Sequence, residues 1–138
     1  MKIKVGVFFG GKSVEHEVSV ISGIQALNAF DREKYEAIPI YITKENEMYT
    51  GEAIADIGNY KNIPELLKKS IRIFFICEQG RLNMVQYPEK KFGNSIVDHI
   101  DVAFPVVNGA NVEDGSLHGF LRDYNVPMAG SDVTPAAV

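Results

Sequence analysis

The chain has 138 residues, a hydrophobic share of 46%, a charged share of 23% and a formal net charge of −4. This composition fits one ordinary globular domain, and the scattered basic residues exclude an extended nucleic-acid-binding face. A single cysteine excludes a disulfide framework, and the lack of a signal peptide or of a run of roughly 18 apolar residues favours a cytoplasmic protein without membrane contact.

The first predicted elements are a buried strand and an amphipathic helix joined by a glycine pair. Residues 5–9 form a near-continuous apolar run, typical of a central strand in a parallel sheet covered on both faces. A helix is predicted over about 17–30, because apolar residues recur at helical spacing until Asp31 breaks the pattern. Residues 36–43 are predicted as a second strand, at a sheet edge because Pro39 lacks a backbone donor.

The middle of the chain is predicted as short elements that decorate the sheet edge. Residues 44–51 form a turn and a short hairpin return, and Asn62 caps a short helix with a proline in its first turn. Residues 71–76 and 81–87 flank a turn and are predicted as a β-hairpin. Cys77, at the end of an apolar run, is expected to be a small core residue.

Strong periodicity returns near the end of the chain. Residues 101–107 are predicted as another buried strand, followed by a loop, a helix over 116–124 and a short strand over 126–129. Because strands alternate with helices, the predicted fold class is α/β, with one open, mainly parallel sheet and flanking helices.

The junction after the first strand is the leading candidate for a binding site. A helix N-terminus at the carboxyl end of a strand is where α/β sheets bind small molecules. Glu15 lies between the glycine pair and the helix, and its negative charge suits an ammonium group better than a phosphate. Glu113 and Asp114 lie in a similar position, between the strand predicted over 101–107 and the helix that follows it. Alternatively, these acidic residues only cap the helices and complement their dipoles.

Two nucleotide motifs are excluded at the same junction. Residues 6–13 spell the P-loop pattern G-x-x-x-x-G-K-S, but bulky residues 7–9 belong to the strand and would have to line a phosphate cradle. Glu15 would repel a nucleotide, and the sequence lacks the dinucleotide fingerprint G-x-G-x-x-G there. Three histidines show no metal-ligand spacing and are not expected to bind a metal: His16, His99 and His118.

Two motifs together resemble the N-terminal domain of the D-alanine–D-alanine ligase family, with its D-alanine–D-serine and D-lactate relatives, in the ATP-grasp superfamily. FFGGKSVEHEVSVIS, residues 8–22, is similar to that family's G-G-x-S-x-E-x-E-V-S signature. DVAFPVVNGANVEDGSLHGFLRDYNVPMAGSDV, residues 101–133, resembles its F-P-x-x-H-G-x-x-G-E-D-G-x-x-Q-G stretch and the following G-S-D turn. Residues 44–100 are compatible with the family but carry no motif.

The resemblance implies a Rossmann-like domain that precedes the ATP-grasp domains. Family members join two amino acids through an acyl-phosphate made from ATP with magnesium, in peptidoglycan precursor synthesis. Their nucleotide lies between two later domains, so residues 1–138 are expected to be a single N-terminal domain that binds no cofactor or metal and is inactive alone. The full-length enzyme would use D-alanine and a second D-amino acid or hydroxy acid, and family members commonly form homodimers.

The resemblance also assigns the site residues. Glu15 holds the ammonium group of the first D-alanine and is the residue assigned to the catalytic site. Asn108 replaces the family's histidine, and an asparagine can hydrogen-bond but cannot move a proton. Val112 replaces the family's glycine and His118 replaces its glutamine. These changes leave the identity of the second substrate undetermined. The remaining substrate-binding residues implied are Gly10, Gly11, Ser13, Glu113 and Asp114. The competing interpretation is a non-catalytic flavodoxin-like module that binds a small amine or a protein partner.

Overall fold

A computed structural model describes residues 2–12 and 14–106, which form a seven-stranded sheet with helices against it. Two short 3-10 helices, Glu52–Ala55 and Ile57–Lys61, precede the second α-helix. The other elements, in chain order, are β1 (Ile3–Gly10), α1 (His16–Ala29), β2 (Tyr35–Ile42), β3 (Met48–Thr50), α2 (Ile63–Lys68), β4 (Ile71–Glu78), β5 (Arg81–Gln86), β6 (Ile96–Ile100) and β7 (Val102–Val106).

The sheet has a parallel core and an antiparallel extension. Its strand order is β6-β5-β4-β3-β2-β1-β7, in which β1 pairs in parallel with both β2 and β7. The strands from β2 to β6 pair successively antiparallel. The predicted α/β class with a parallel sheet is confirmed for the core. The middle of the chain does more than decorate an edge, because it supplies four strands, including β6, which the sequence pattern did not predict.

The sheet curls until its two edges meet. Only Asp101 separates β6 from β7, although these strands lie at opposite ends of the strand order. The residue between them is held to β1, since the Asp101 N–H donates to the Lys4 carbonyl over 2.8 Å. The ammonium of Lys4 also pairs with Asp98 on β6. This curvature encloses an apolar core on the inner face of the sheet, around Phe8, Ile40, Phe75, Met84 and Ile100.

The outer face of the parallel core is covered by α1. Val5, Val7 and Phe9 alternate with the inner-face residues and pack against the helix. The apolar residues Val20, Ile24 and Leu27 form the buried stripe of α1 at helical spacing.

Two sequence predictions are wrong, and each has a local cause. β2 is not an edge strand, because it lies between β1 and β3. Pro39 is tolerated since β3 pairs only with Tyr41 and Ile42, which leaves the Pro39 nitrogen without a partner strand on that side. Cys77 is exposed rather than part of the core. It lies at the far end of β4, where the last three residues are all exposed.

The other local predictions within the described residues are confirmed. The helix after β1 and the strand at 101–107 are present within a few residues of the predicted bounds. The Asn62 side chain caps α2 by accepting the Glu65 N–H over 3.2 Å. The β4–β5 hairpin turns at Gln79 and Gly80, both with positive φ. The helix predicted over 116–124 and the strand over 126–129 lie outside the described residues.

Candidate functional site

The glycine pair makes the sharp turn that ends β1. Gly10 and Gly11 have φ angles of 97° and 98°, a region that disfavours residues with a side chain. A Cβ on Gly10 would lie 2.3 Å from the Ile42 carbonyl oxygen, so no side chain fits there. The Gly11 N–H donates to that same oxygen over 2.8 Å. The turn is therefore pressed against the end of β2.

Glu15 is the N-cap residue of α1, with φ −93° and ψ 24°, and its side chain is exposed. Its carbonyl oxygen accepts the Ser19 N–H over 2.9 Å, which closes the first helical turn. Its carboxylate makes no capping hydrogen bond to the helix. A carboxylate at this end of a helix is stabilised by the helix dipole and can attract a cation such as an ammonium group.

Ser19 joins the start of α1 to the ends of two parallel strands. Its hydroxyl oxygen accepts the Gly10 N–H over 2.9 Å and its proton goes to the Val106 carbonyl at the end of β7. Ser19 is 1% exposed, so its hydroxyl is shielded from water, and the hydrogen bond from Gly10 is fully buried. The carboxyl ends of β1 and β7 therefore meet beside the helix N-terminus, where α/β sheets bind ligands.

His16 is buried directly behind Glu15. It is 4% exposed, and its two ring nitrogens contact the Gly11 carbonyl oxygen and the Tyr41 hydroxyl, the latter over 2.7 Å. Burial raises the pKa of Tyr41 to about 12, with the Glu45 and Glu17 carboxylates acting in the same direction.

The sequence predicted only that His16 is not a metal ligand, and its buried position in the fold was missed. The missed signal is its spacing, because His16 begins the stripe that continues at Val20, Ile24 and Leu27.

A cleft of about 590 Å³ opens between α1, the end of β2 and the segment around α2. Its floor is aromatic and aliphatic, with Tyr41, Tyr60 and Ile63, whereas Glu17 and Lys44 at its margin are exposed and lie 3.6 Å apart. An apolar floor suits an apolar group rather than a small zwitterion.

The structure brings together Gly10, Gly11 and Glu15 among the predicted site residues. Among residues 2–12 and 14–106, no group of three or more histidine, cysteine, aspartate or glutamate side chains is arranged to hold a metal ion. Within that same part of the chain, no helix has the length and apolar character needed to span a bilayer. The remaining predicted site residues lie outside the described residues: Ser13, Asn108, Glu113 and Asp114.

Comparison with known proteins gives consistent matches over most of the chain. Residues 4–131 match a family model described as "D-ala D-ala ligase N-terminus". The chain is 38% identical over 128 residues to a D-alanine–D-alanine ligase of Thermosipho melanesiensis, covering 93% of the chain and 34% of the relative. It is 39% identical over 138 residues to that of Geobacillus kaustophilus, covering 100% of the chain and 36% of the relative.

Solved structures agree with these sequence matches. The VanG D-Ala:D-Ser ligase from Enterococcus faecalis superimposes with a TM-score of 0.71 at 27% identity, covering 93% of this chain and 35% of that one. The D-alanine–D-alanine ligase from Coxiella burnetii gives a TM-score of 0.71 at 26% identity, covering 92% and 34% respectively. The chain spans about a third of the length of the curated relatives and solved structures that it matches.

Proposed function

The chain belongs to the D-alanine–D-alanine ligase family, whose N-terminal domain it matches, and from that premise we propose that it supplies the first D-alanine site of an ATP-dependent ligase. Such a ligase would act in peptidoglycan precursor synthesis. The observation that carries the proposal is the position of Glu15, an exposed carboxylate on the N-cap of α1 beside the turn at Gly10 and Gly11.

In the proposed site, Glu15 accepts hydrogen bonds from the ammonium group of the first D-alanine. The glycine turn is proposed to shape the loop around the substrate, and the absence of a side chain at Gly10 lets that turn lie directly against Ile42 at the end of β2. Ser13 completes that loop in the proposal. The neighbouring wall is proposed to be formed by Asn108, Glu113 and Asp114, which follow β7 in the sequence. β7 supports this assignment because its end is hydrogen-bonded to α1 through Ser19.

ATP and magnesium are proposed to bind elsewhere in a ligase of the relatives' length. Within residues 2–12 and 14–106, no side-chain cluster suits a divalent cation, and the junction carries a negative charge where a phosphate would need donors. ATP would activate the carboxylate of the first D-alanine as an acyl-phosphate, and this domain's part is to hold that substrate. The second substrate is proposed to be a D-amino acid or hydroxy acid.

The proposal is tested by Glu15→Gln in a ligase that carries this domain. Losing the carboxylate should raise the KM for the first D-alanine or lower kcat/KM, because a desolvated ammonium loses its charged partner. The expected fall in kcat/KM corresponds to a loss of about 2–4 kcal/mol in transition-state stabilisation. Steady-state kinetics over a range of D-alanine concentrations at saturating ATP measures the change.

Glu17→Gln is the matched control. It removes the same charge two residues along α1, where Glu17 is exposed and lies 3.6 Å from Lys44. Little change in kinetics is expected, since an exposed ion pair contributes little. Unaltered D-alanine kinetics in the Glu15 variant, or equal losses in both variants, would contradict the proposed role.

A further inference from the structure

We propose that His16 and Tyr41 are positioning residues for the D-alanine site, because together they fix the turn and helix start that carry Glu15. The inference rests on the proposed function of Glu15 and adds two buried residues that do not touch the substrate. It follows from a continuous chain of contacts from β2, through both side chains, to the backbone of Gly11.

The hydrogen-bond directions follow from the chemistry of the partners. A carbonyl oxygen only accepts, so His16 Nδ1 must carry the proton that is donated to Gly11. In the neutral ring Nε2 is then an acceptor, and the Tyr41 hydroxyl donates to it over 2.7 Å. The Gly11 carbonyl therefore requires the Nδ1-protonated ring, and the Tyr41 hydroxyl stabilises this tautomer by donating to Nε2.

Tyr41 is itself held rigidly. It is 1% exposed, and its ring packs between those of Phe9 and Tyr60, with centroids 6.1 Å and 5.2 Å away. The next residue, Ile42, accepts the Gly11 N–H. Both backbone polar groups of Gly11 are thus tied to the end of β2, one directly and one through His16.

This arrangement limits how Glu15 can move. His16 is the next residue in the chain, and its buried ring fixes the backbone of the first helical turn. A carboxylate carried on a fixed backbone loses less conformational entropy on binding an ammonium group than one on a mobile loop. The expected function of the pair is therefore to increase affinity for the first D-alanine, with little effect on later steps.

The decisive experiment is a double-mutant cycle in the ligase that carries this domain. Tyr41→Phe keeps the ring but removes the hydroxyl. His16→Asn keeps a donor near the Gly11 carbonyl but loses the hydrogen bond with the Tyr41 hydroxyl. Each should raise the KM for the first D-alanine about 3–30-fold, with kcat and the KM for ATP changed less than about twofold. In a Glu15→Gln background, Tyr41→Phe should change that KM by less than about twofold, because the group being positioned is gone.

Tyr60→Phe is the matched control. It keeps the ring that packs on Tyr41 and removes only a hydroxyl, which donates over 2.7 Å to the Ile54 carbonyl rather than to the turn. It should leave D-alanine kinetics unchanged, while thermal unfolding reports any shared loss of stability. An equal effect of Tyr41→Phe with and without the Glu15 carboxylate, or an equal effect of Tyr60→Phe, would overturn the positioning role. No effect of Glu15→Gln alone would instead overturn the proposed function.

Discussion

The hydroxyl of Ser19 is shared by three elements at one buried point. It accepts from the Gly10 N–H and donates to the Val106 carbonyl, so it connects β1, α1 and β7. Removing it leaves two backbone groups without these partners in a region shielded from water. Because an unsatisfied buried polar group costs about 1–3 kcal/mol, this one hydroxyl contributes more to stability than a surface hydrogen bond does.

Ser19→Ala should therefore lower the free energy of unfolding by about 1–3 kcal/mol, despite the better helix propensity of alanine. Urea denaturation followed by circular dichroism measures the loss. Ser22→Ala is the control on the same helix, since Ser22 is only partly buried and makes none of these contacts. A loss of equal size in both variants would show that the Ser19 hydrogen bonds contribute nothing specific.

The residues of the candidate site differ in how far the neighbouring sequence predicts their roles. Glu15 could be proposed as a ligand from the sequence alone, because its charge and its place between a glycine pair and a helix both bear on ligand chemistry, and its role stays a prediction. His16 is adjacent to it, but its role depends on the Tyr41 hydroxyl, which lies 25 positions away in sequence. A pairing of this kind is created when the start of α1 packs against the end of β2, and no local pattern encodes it.

Among the elements, α1 and β1 approach unusually closely at Gly23. A Cβ built on Gly23 would lie 2.4 Å from Cγ of Phe9, well inside van der Waals contact. The helix axis can lie this near the sheet only because that position has no side chain. The close approach also brings the first turn of α1 to Gly10 and Gly11.

Gly23→Ala should destabilise the fold by about 1–3 kcal/mol, because overpacking against Phe9 outweighs the gain of about 1 kcal/mol in helix propensity. Comparing denaturation midpoints of the variant and the parent chain tests this. Phe9→Leu makes room at the contact, so Gly23→Ala should cost less in that background. An equal cost with Phe9 or leucine present would refute the steric explanation.

The positions of elements along the chain were largely predictable, whereas their neighbours in the sheet were not. Apolar periodicity correctly predicted β1, α1 and β7. The same local reasoning placed β2 at an edge because of Pro39. Whether a proline disrupts a sheet depends on the length of the neighbouring strand, and β3 stops before it reaches Pro39.

For the whole molecule, burial of tyrosine hydroxyls links stability to alkaline pH. The pKa of Tyr41 is raised by burial to about 12, and that of Tyr60 is raised in the same direction, chiefly by burial. A raised pKa means that the folded state binds the phenolic proton more tightly than the unfolded state does. The stabilisation from Tyr41 is complete below the unfolded value of about 10 and is lost as the pH rises to about 12.

The free energy of unfolding should therefore fall as the pH rises from about 10 to about 12, with Tyr41 accounting for about 2–3 kcal/mol. Denaturation at a series of pH values, together with tyrosinate absorbance, follows the loss. Tyr41→Phe should reduce the dependence and leave the contribution of Tyr60, whereas Tyr35→Phe, at a partly buried position outside the His16 contacts, serves as the reference. A pH dependence that is identical with and without the Tyr41 hydroxyl would contradict the assignment.

Local patterns were enough to predict the α/β class, the main strands and helix, and the acidic junction at Glu15, because periodicity, glycine placement and charge are local properties. The sequence motifs also carried the resemblance to the D-alanine–D-alanine ligase family. Three features required the folded chain: β6 and β7 meet at Asp101, β2 is internal, and His16 faces Tyr41. These features depend on which distant segments pack together, since a strand's neighbours and a buried side chain's partner are set by the sheet as a whole.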